Sequence, residues 1–404
     1  MPIDPWLPRA AAQHPERVAL EAPEGALTYA QLLEAAGIDA LPGSRIGIAL
    51  PPGLDFAVTL HACLLARAAA MPVDPRLGES ERAALLASAD LVVDGRLRAS
   101  APAMTQAAPG EDDVALVVHT SGTTAAPRPV ELSFGNVQAN ALGSAVALGL
   151  DPDERWLCPL PLSHVGGLMV LLRSALYATR AVIGPAERAT HDDITLASLV
   201  PTQLRRLLDA AERPGARLRA VLLGGAAATP DLLGRAREAG WPVVETYGLT
   251  QACSQVTVEG RPLPGLAVSL AGDGEILVEG PTVAGGGILR TGDLGAFDDR
   301  GRLRVIGRKA DTIVTGGENV APAEVEAALL AHPAVADAGV FGRPDPEWGE
   351  AVTAAVVLRA PAEVQELREW VGQRLARFKV PKAVEVADAL PRTASGKLLR
   401  RELE

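Results

Sequence analysis

Five short segments hold side chains able to bind a phosphorylated ligand. Thr120-Ser121-Gly122-Thr123-Thr124-Ala125-Ala126-Pro127-Arg128 sets four hydroxyls, a glycine and a cation directly behind an apolar run. Hydroxyls and backbone N–H groups in such a loop cradle phosphate oxygens, and Arg128 adds charge. The spacing is not Gly-x-x-x-x-Gly-Lys-Ser/Thr, which excludes a Walker A loop. Taken alone, the segment reads equally as a Ser/Thr-rich surface turn. Glu245-Thr246-Tyr247-Gly248-Leu249-Thr250-Gln251 offers an aromatic beside a glycine for stacking and a hydroxyl, Thr250, for a phosphate. It reads alternatively as a strand end with Tyr247 as a buried anchor. Thr291-Gly292-Asp293-Leu294 presents a carboxylate on a tight turn, suited to the paired hydroxyls of a ribose or to an ordinary β-turn. Gly307-Arg308-Lys309-Ala310-Asp311 and Gly316-Gly317-Glu318-Asn319 read as an interdomain linker and a loop capping the next helix, with Asn319 or Glu318 at its N-terminus. Pro391-Arg392-Thr393-Ala394-Ser395-Gly396-Lys397 places a lysine on a Gly/Ser loop that can be brought to an anion, or is a solvated basic tail.

The elements that must position these groups follow from pattern. Arg45 to Leu60 reads as strand, turn and helix, the helix running over 54–70 to Pro72. Asp90–Asp94, Val114–His119, Ala220–Leu223 and Val243-Val244 read as strands, and Ser133–Leu150 as a helix. Three of these strands end in Gly- or hydroxyl-rich loops, and ligands of open α/β sheets gather at the carboxyl ends of strands. Residues 98–112 form a Pro/Ala-rich linker. Further on, Glu275–Val278 and Leu303–Ile306 are strands, with Asp298-Asp299-Arg300-Gly301 as a hairpin turn. After Arg308 a smaller α+β unit begins: a helix over Pro322–Ala331, a strand over Ala351–Leu358, and a helix over Glu363–Phe378 with Val364, Leu367, Val371 and Leu375 on one face. The fold class is therefore α/β, a large N-terminal domain over 1–307 and a small mobile α+β domain over 308–404.

Composition sets the outer limits. A chain of 404 residues exceeds one ordinary core. Aromatics make up only 3%, so packing rests on aliphatic side chains. With 38 Lys plus Arg against 49 Asp plus Glu, the net charge of −11 argues against nucleic acid or an anionic membrane as partner. Cys63, Cys158 and Cys253 stand apart, with no Cys-x-x-Cys pair, so neither a zinc knuckle nor a disulfide scaffold is expected. No signal peptide or membrane span is legible, and a cytoplasmic protein is the simplest expectation. No interface stripe marks an oligomer, and a homodimer stays open.

The order and spacing of the five segments resemble the adenylate-forming acyl-CoA synthetase superfamily, over essentially the whole chain. That resemblance implies ATP, Mg²⁺ and coenzyme A as ligands and a carboxylic acid as substrate. It implies that Thr120, Ser121, Gly122, Thr123, Thr124 and Arg128 hold the ATP phosphates. Gly224, Gly225 and Ala226 lie by the adenine, with Tyr247 stacked on it and Glu245, Thr246 and Gly248 beside it. Thr250 contacts phosphate and, with Gln251, the metal. Asp293 and Arg308 hold the ribose. Lys397 bridges the substrate carboxylate and the α-phosphate, and the hinge falls at Lys309–Asp311. Rotation of the small domain then places Gly316, Gly317 and Glu318 near the pantetheine tunnel. No protein nucleophile is required, in line with the lack of a Ser-His-Asp or Cys-His signature.

Within the superfamily, Leu162-Ser163-His164-Val165-Gly166-Gly167-Leu168 and Thr250-Gln251-Ala252-Cys253-Ser254-Gln255 resemble the o-succinylbenzoate–CoA ligases of menaquinone biosynthesis. The acyl pocket is expected between these segments, with His164, Gly166 and Ser254 at the acid. His164 reads equally as a structural histidine, and Ser254 as a loop residue. The chain departs from the superfamily pattern at Ala125, Arg128, Pro129, Gln251 and Ala310. A neutral amide at Gln251 is a weaker ligand for a hard cation than the usual glutamate. Another aryl- or acyl-CoA ligase, or a degenerate adenylate-binding protein, are the alternatives.

Overall fold

The computed structural model describes residues 3, 6–37, 42–95, 108–120, 128–392 and 398–403. The segments Ser121–Pro127 and Thr393–Lys397, and most of the 98–112 linker, lie outside the described residues. Among the described residues, two sheets flank a layer of helices. The first is nine-stranded, in the order Arg261–Pro262, Ser254–Val258, Val243–Leu249, Ala220–Leu223, Leu196–Leu199, Arg155–Cys158, Arg180–Ile183, Val18–Ala22, Gly25–Thr28. Its centre is parallel and both margins are antiparallel. The second is five-stranded, Leu91–Val93, Arg45–Ile48, Ala69–Pro72, Val114–Thr120, Arg128–Ser133, parallel except for its last hairpin. Strands covered on both faces read as continuous apolar runs, as Ala220–Leu223 and Ala69–Pro72 do.

Helices Leu54–Leu65 and Val165–Tyr177 fill the space between the sheets, and their side chains join both into one core. Val165–Tyr177 is apolar on nearly every side, as a helix buried all round must be; Arg173 is its one charge. Tyr29 locks the layer by donating its hydroxyl to the carbonyls of Ser174 and Thr179, at 2.9 and 2.6 Å. The helix Phe134–Leu148 starts on a reciprocal cap between Ser133 and Asn136. All three cysteines are free and buried, and burial pushes each thiol up to about 12.

A four-stranded antiparallel sheet follows, Ala267–Leu270, Glu275–Glu279, Ile288–Phe297 and Leu303–Arg308, with the expected turn at Asp298–Gly301. The last unit has its own core and a five-stranded sheet around Gly349–Leu358, covered by helices Pro322–Leu330 and Val364–Gly372. The α/β class with a small C-terminal unit is thus present.

Local readings need correction. The 54–70 helix stops at Leu65, because Arg67 takes φ +56° and Ala69–Pro72 forms a buried strand instead. The strand at Val243-Val244 continues through Tyr247 to Leu249, because it leaves its parallel neighbour after Glu245 and pairs antiparallel with Ser254–Val258. Asp293 lies within a ten-residue strand, not on a turn. Glu318 and Asn319 belong to the short strand Glu318–Val320, and Ala321 is the N-cap of the next helix without a side-chain bond. The final helix ends at Gly372 rather than Phe378.

Candidate functional site

The parallel strands Leu196–Leu199, Ala220–Leu223 and Val243–Leu249 bring Gly224, Gly225, Ala226 and Thr246 to one edge. Thr246 Oγ1 donates to the Leu223 carbonyl at 3.2 Å, and Gly224 lies so close to that hydroxyl that a Cβ would meet it at 2.6 Å. Glu245 and Gly248 are exposed on the same strand. Gly248 is there because a Cβ would stand 1.7 Å from the Ser254 carbonyl oxygen across the ladder. That approach accompanies a register shift after Tyr247. Cys253 and Ser254 answer with φ of +54° and +89°, two adjacent non-glycine residues in the left-handed region.

Tyr247 projects its hydroxyl to Asp293 Oδ2 at 2.8 Å. Arg308 Nε reaches Asp293 Oδ1 at 2.7 Å, and the Asp293 backbone N–H donates to Thr291 Oγ1 at 3.1 Å. Asp293 is buried, so these partners keep its charge compensated. Burial, helped by the Asp293 charge, raises the Tyr247 phenol above its ordinary range, so it remains a donor. Three residues singled out in three separate sequence segments therefore form one cluster.

The hydroxyl-rich segment leaves the strand Val114–Thr120 and returns through Arg128–Ser133. Thr120 pairs with Arg128 in the ladder and donates Oγ1 to its carbonyl at 3.3 Å. The Arg128–Ser133 strand packs on the turn Thr250–Ala252, which brings the turn of Thr250 and Gln251 to the strand that follows that segment in sequence. Ser121, Gly122, Thr123 and Thr124 lie outside the described residues, and so does Lys397. Thr250 and Gln251 offer oxygen donors, the chemistry Mg²⁺ selects when substrate phosphates supply the remainder of its shell. Among the described residues no group of three or more His, Cys, Asp or Glu could hold a metal alone.

Among the described residues no hydrogen bond or ion pair joins Gly316, Gly317 or Glu318 to this cluster. Gly316 and Gly317, at φ +58° and +82°, turn a hairpin in the small sheet, with Gly316 against the Trp348 ring. The expected hinge is a short turn, Lys309–Asp311. Lys309 Nζ bonds Asp273 and Glu275 at 2.6 and 3.2 Å, while Arg400 reaches back to Asp311 at 2.7 Å.

At the expected acyl pocket, His164 precedes helix Val165–Tyr177 and Gly166 lies in its first turn. Burial lowers the His164 imidazole below its usual range, with nearby Asp74 pulling the other way. Asp74 is itself held by a two-bond grip from Arg76, at 2.9 and 2.6 Å. Deeper along the same helix lies a group the sequence reading passed over. Arg173 is 2% exposed; its guanidinium is 5.5 Å from the Trp156 ring centroid, and its Nε has no partner. The titratable groups that act on it are Tyr177 and Cys253, both neutral, and among the described residues no carboxylate pairs with it. Gln255, in the strand that begins at Ser254, is 5% exposed with neither amide atom partnered. A lone arginine in an otherwise apolar run was the legible signal for this site.

The family model "AMP-binding enzyme" matches residues 7–94 and 91–286, and "AMP-binding enzyme C-terminal domain" matches 324–397. A 2-succinylbenzoate–CoA ligase of Bacillus velezensis is 36% identical over 471 aligned positions, covering 98% of this chain and 97% of the relative. Since this chain has 404 residues, internal stretches of that relative have no counterpart here. The o-succinylbenzoate coenzyme A synthetase of Bacillus subtilis, in complex with its acyl-adenylate intermediate, superposes with a TM-score of 0.92 at 33% identity, covering 100% of this chain and 98% of the other. Its complex with ATP and magnesium ion gives 0.92 at 32% identity, covering all of both chains. A double mutant of the same protein bound to a product analogue gives 0.73 at 33% identity, covering 100% and 99%. Matched in both parts and in order, the chain belongs to the AMP-binding enzyme family.

Proposed function

We propose that the chain is an AMP-forming acid–thiol ligase that converts o-succinylbenzoate to its coenzyme A thioester, a step of menaquinone biosynthesis. The observation that carries the choice of acid is the buried, acid-free guanidinium of Arg173. A monocarboxylic aryl or fatty acid gives such a cation nothing to pair with, and an unpaired buried charge is strongly unfavourable. A di-acid supplies the missing anion with one carboxylate while the other reacts. Gln255 offers a further donor and acceptor, suited to a keto oxygen or a carboxylate.

In the first step a carboxylate oxygen attacks the α-phosphorus of ATP, and the bond to pyrophosphate breaks. In the second the thiol sulfur of coenzyme A attacks the acyl carbon, the thiol proton leaves, and AMP departs. Thr120–Thr124 and Arg128 hold the phosphates. Gly224, Gly225, Ala226 and Tyr247 frame the adenine. Asp293, anchored by Arg308 and Tyr247, receives the ribose diol. Thr250 and Gln251 would hold Mg²⁺, which would offset phosphate charge, and Lys397 would act between the two reacting anions. His164, Gly166 and Ser254 line the acid pocket. The chain divides at residues 307 and 308, and the smaller part swivels to admit the thiol past Gly316, Gly317 and Glu318. The drop in TM-score from the adenylate complex to the product-analogue complex supports that swivel. No helix among the described residues is long and apolar enough to cross a membrane, which suits a reaction in the cytosol.

A panel of mono- and di-acids, incubated with ATP, Mg²⁺ and coenzyme A and read by mass of the product, tests the proposal. The expected result is a thioester from o-succinylbenzoate at a kcat/KM well above that for any mono-acid. Turnover that ignores the second carboxylate, or AMP binding without thioester, would refute it.

A further inference from the structure

The group that holds Arg173 is an amide, so it orients the guanidinium without offsetting its charge, while burial lowers the guanidinium below its ordinary range. Its Nη2 donates to Asn140 Oδ1 at 2.5 Å. Asn140 has no exposed surface, and its Nδ2 donates to the Gln255 carbonyl at 2.9 Å. Both partners fix which way the amide points. Flipped, its NH₂ would face a guanidinium and its oxygen a carbonyl, losing two bonds in a buried site. One side chain on helix Phe134–Leu148 thereby ties helix Val165–Tyr177 to the strand Ser254–Val258, the two elements that border the expected acyl pocket.

We propose that Asn140 is a positioning residue that sets specificity for a di-acid: its neutral amide orients Arg173 and leaves the full positive charge for the non-reacting carboxylate of the substrate. A carboxylate of the same shape would hold Arg173 equally well but neutralise it, so the amide is the informative feature. A purely structural buried arginine is normally closed off by an acid. This inference rests on the di-acid reading of Arg173 given above.

The test compares wild type, Asn140→Asp, Asn140→Ser and Asn140→Leu, each with o-succinylbenzoate and with the two mono-acid analogues that lack one or the other carboxylate. Expected for Asn140→Asp is a KM for the di-acid raised by about tenfold or more, with the KM for ATP held, so that the di-acid preference collapses. Asn140→Ser, which still accepts from Arg173 and adds no charge, retains most of the preference. Asn140→Leu, of similar size but without an acceptor, raises the di-acid KM. A wild type that does not prefer the di-acid overturns the substrate reading and this inference with it. A wild-type preference that survives Asn140→Asp overturns the role of Asn140 alone. If Asn140→Asp does not fold, equal di-acid KM values for the Ser and Leu variants do the same.

Discussion

Asp293 makes a bond to protein through each carboxylate oxygen, to Arg308 on one side and Tyr247 on the other. An ionised carboxylate only accepts, and the two neighbouring hydroxyls of a ribose are the donors expected to meet it. The same two bonds also join the Tyr247 ring, expected at the adenine, to the carboxylate expected at the sugar. At the same scale, Gln251 presents a neutral oxygen where the superfamily pattern has glutamate. Replacing it with Glu adds a charged ligand for a hard cation. The expected result for Gln251→Glu is a several-fold fall in the Mg²⁺ concentration that gives half-maximal pyrophosphate release; an unchanged or higher requirement would remove Gln251 from the metal. Residues with distinctive neighbours in sequence, such as Asp293 behind Gly292, were legible one by one. Asn140 was not, because its meaning lies in a contact 33 residues away, and Arg173 offered only its place in an apolar run.

The strand Val243–Leu249 shows how an element serves the site. It is parallel to its neighbour up to Glu245 and antiparallel to the next strand beyond it, so Thr246 and Tyr247 leave their parallel neighbour at the ligand edge while staying paired with Ser254–Val258. The crossing is close enough that Gly248 admits no side chain. We expect Gly248→Ala to push Ser254 away, destabilising the protein by about 1–3 kcal/mol and raising KM for the acid and for ATP together. Thermal unfolding and initial rates check this, and wild-type values for both would mean that the approach relaxes without consequence. Periodicity found the buried strands Val114–Thr120 and Ala220–Leu223, because continuous apolar runs bounded by polar loops have few other readings. It could not find the end of helix Leu54–Leu65. There Ala and Leu continue unbroken past a left-handed Arg67, and the same residue types serve the strand Ala69–Pro72. Nor could it extend the strand at Val243-Val244 through Glu245-Thr246-Tyr247-Gly248, whose partner comes from further along the chain.

Across the molecule, polar contacts among the described residues tie the small unit to the large one, the Arg308–Asp293 pair included. Arg205 donates to the Ala336 carbonyl at 2.6 Å, and Lys309 grips Asp273 and Glu275. An ion pair as exposed as Lys309–Asp273 contributes little, so a swivel that breaks it costs little beside the energy of ligand binding. If Lys397 acts only before the swivel, Lys397→Ala abolishes release of pyrophosphate from ATP and acid yet leaves thioester formation from a supplied acyl-adenylate within a few-fold of wild type. Equal loss of both half-reactions would contradict a two-pose mechanism. One feature of the interior bears on the same chemistry. An acyl-adenylate is a mixed anhydride that any thiolate can capture. Cys63, Cys158 and Cys253 are buried, burial pushes each thiol up to about 12, and Cys253 directly precedes Ser254, expected at the acid. The catalyst is thus protected from acylating itself, and the incoming cofactor supplies the sole competent sulfur nucleophile.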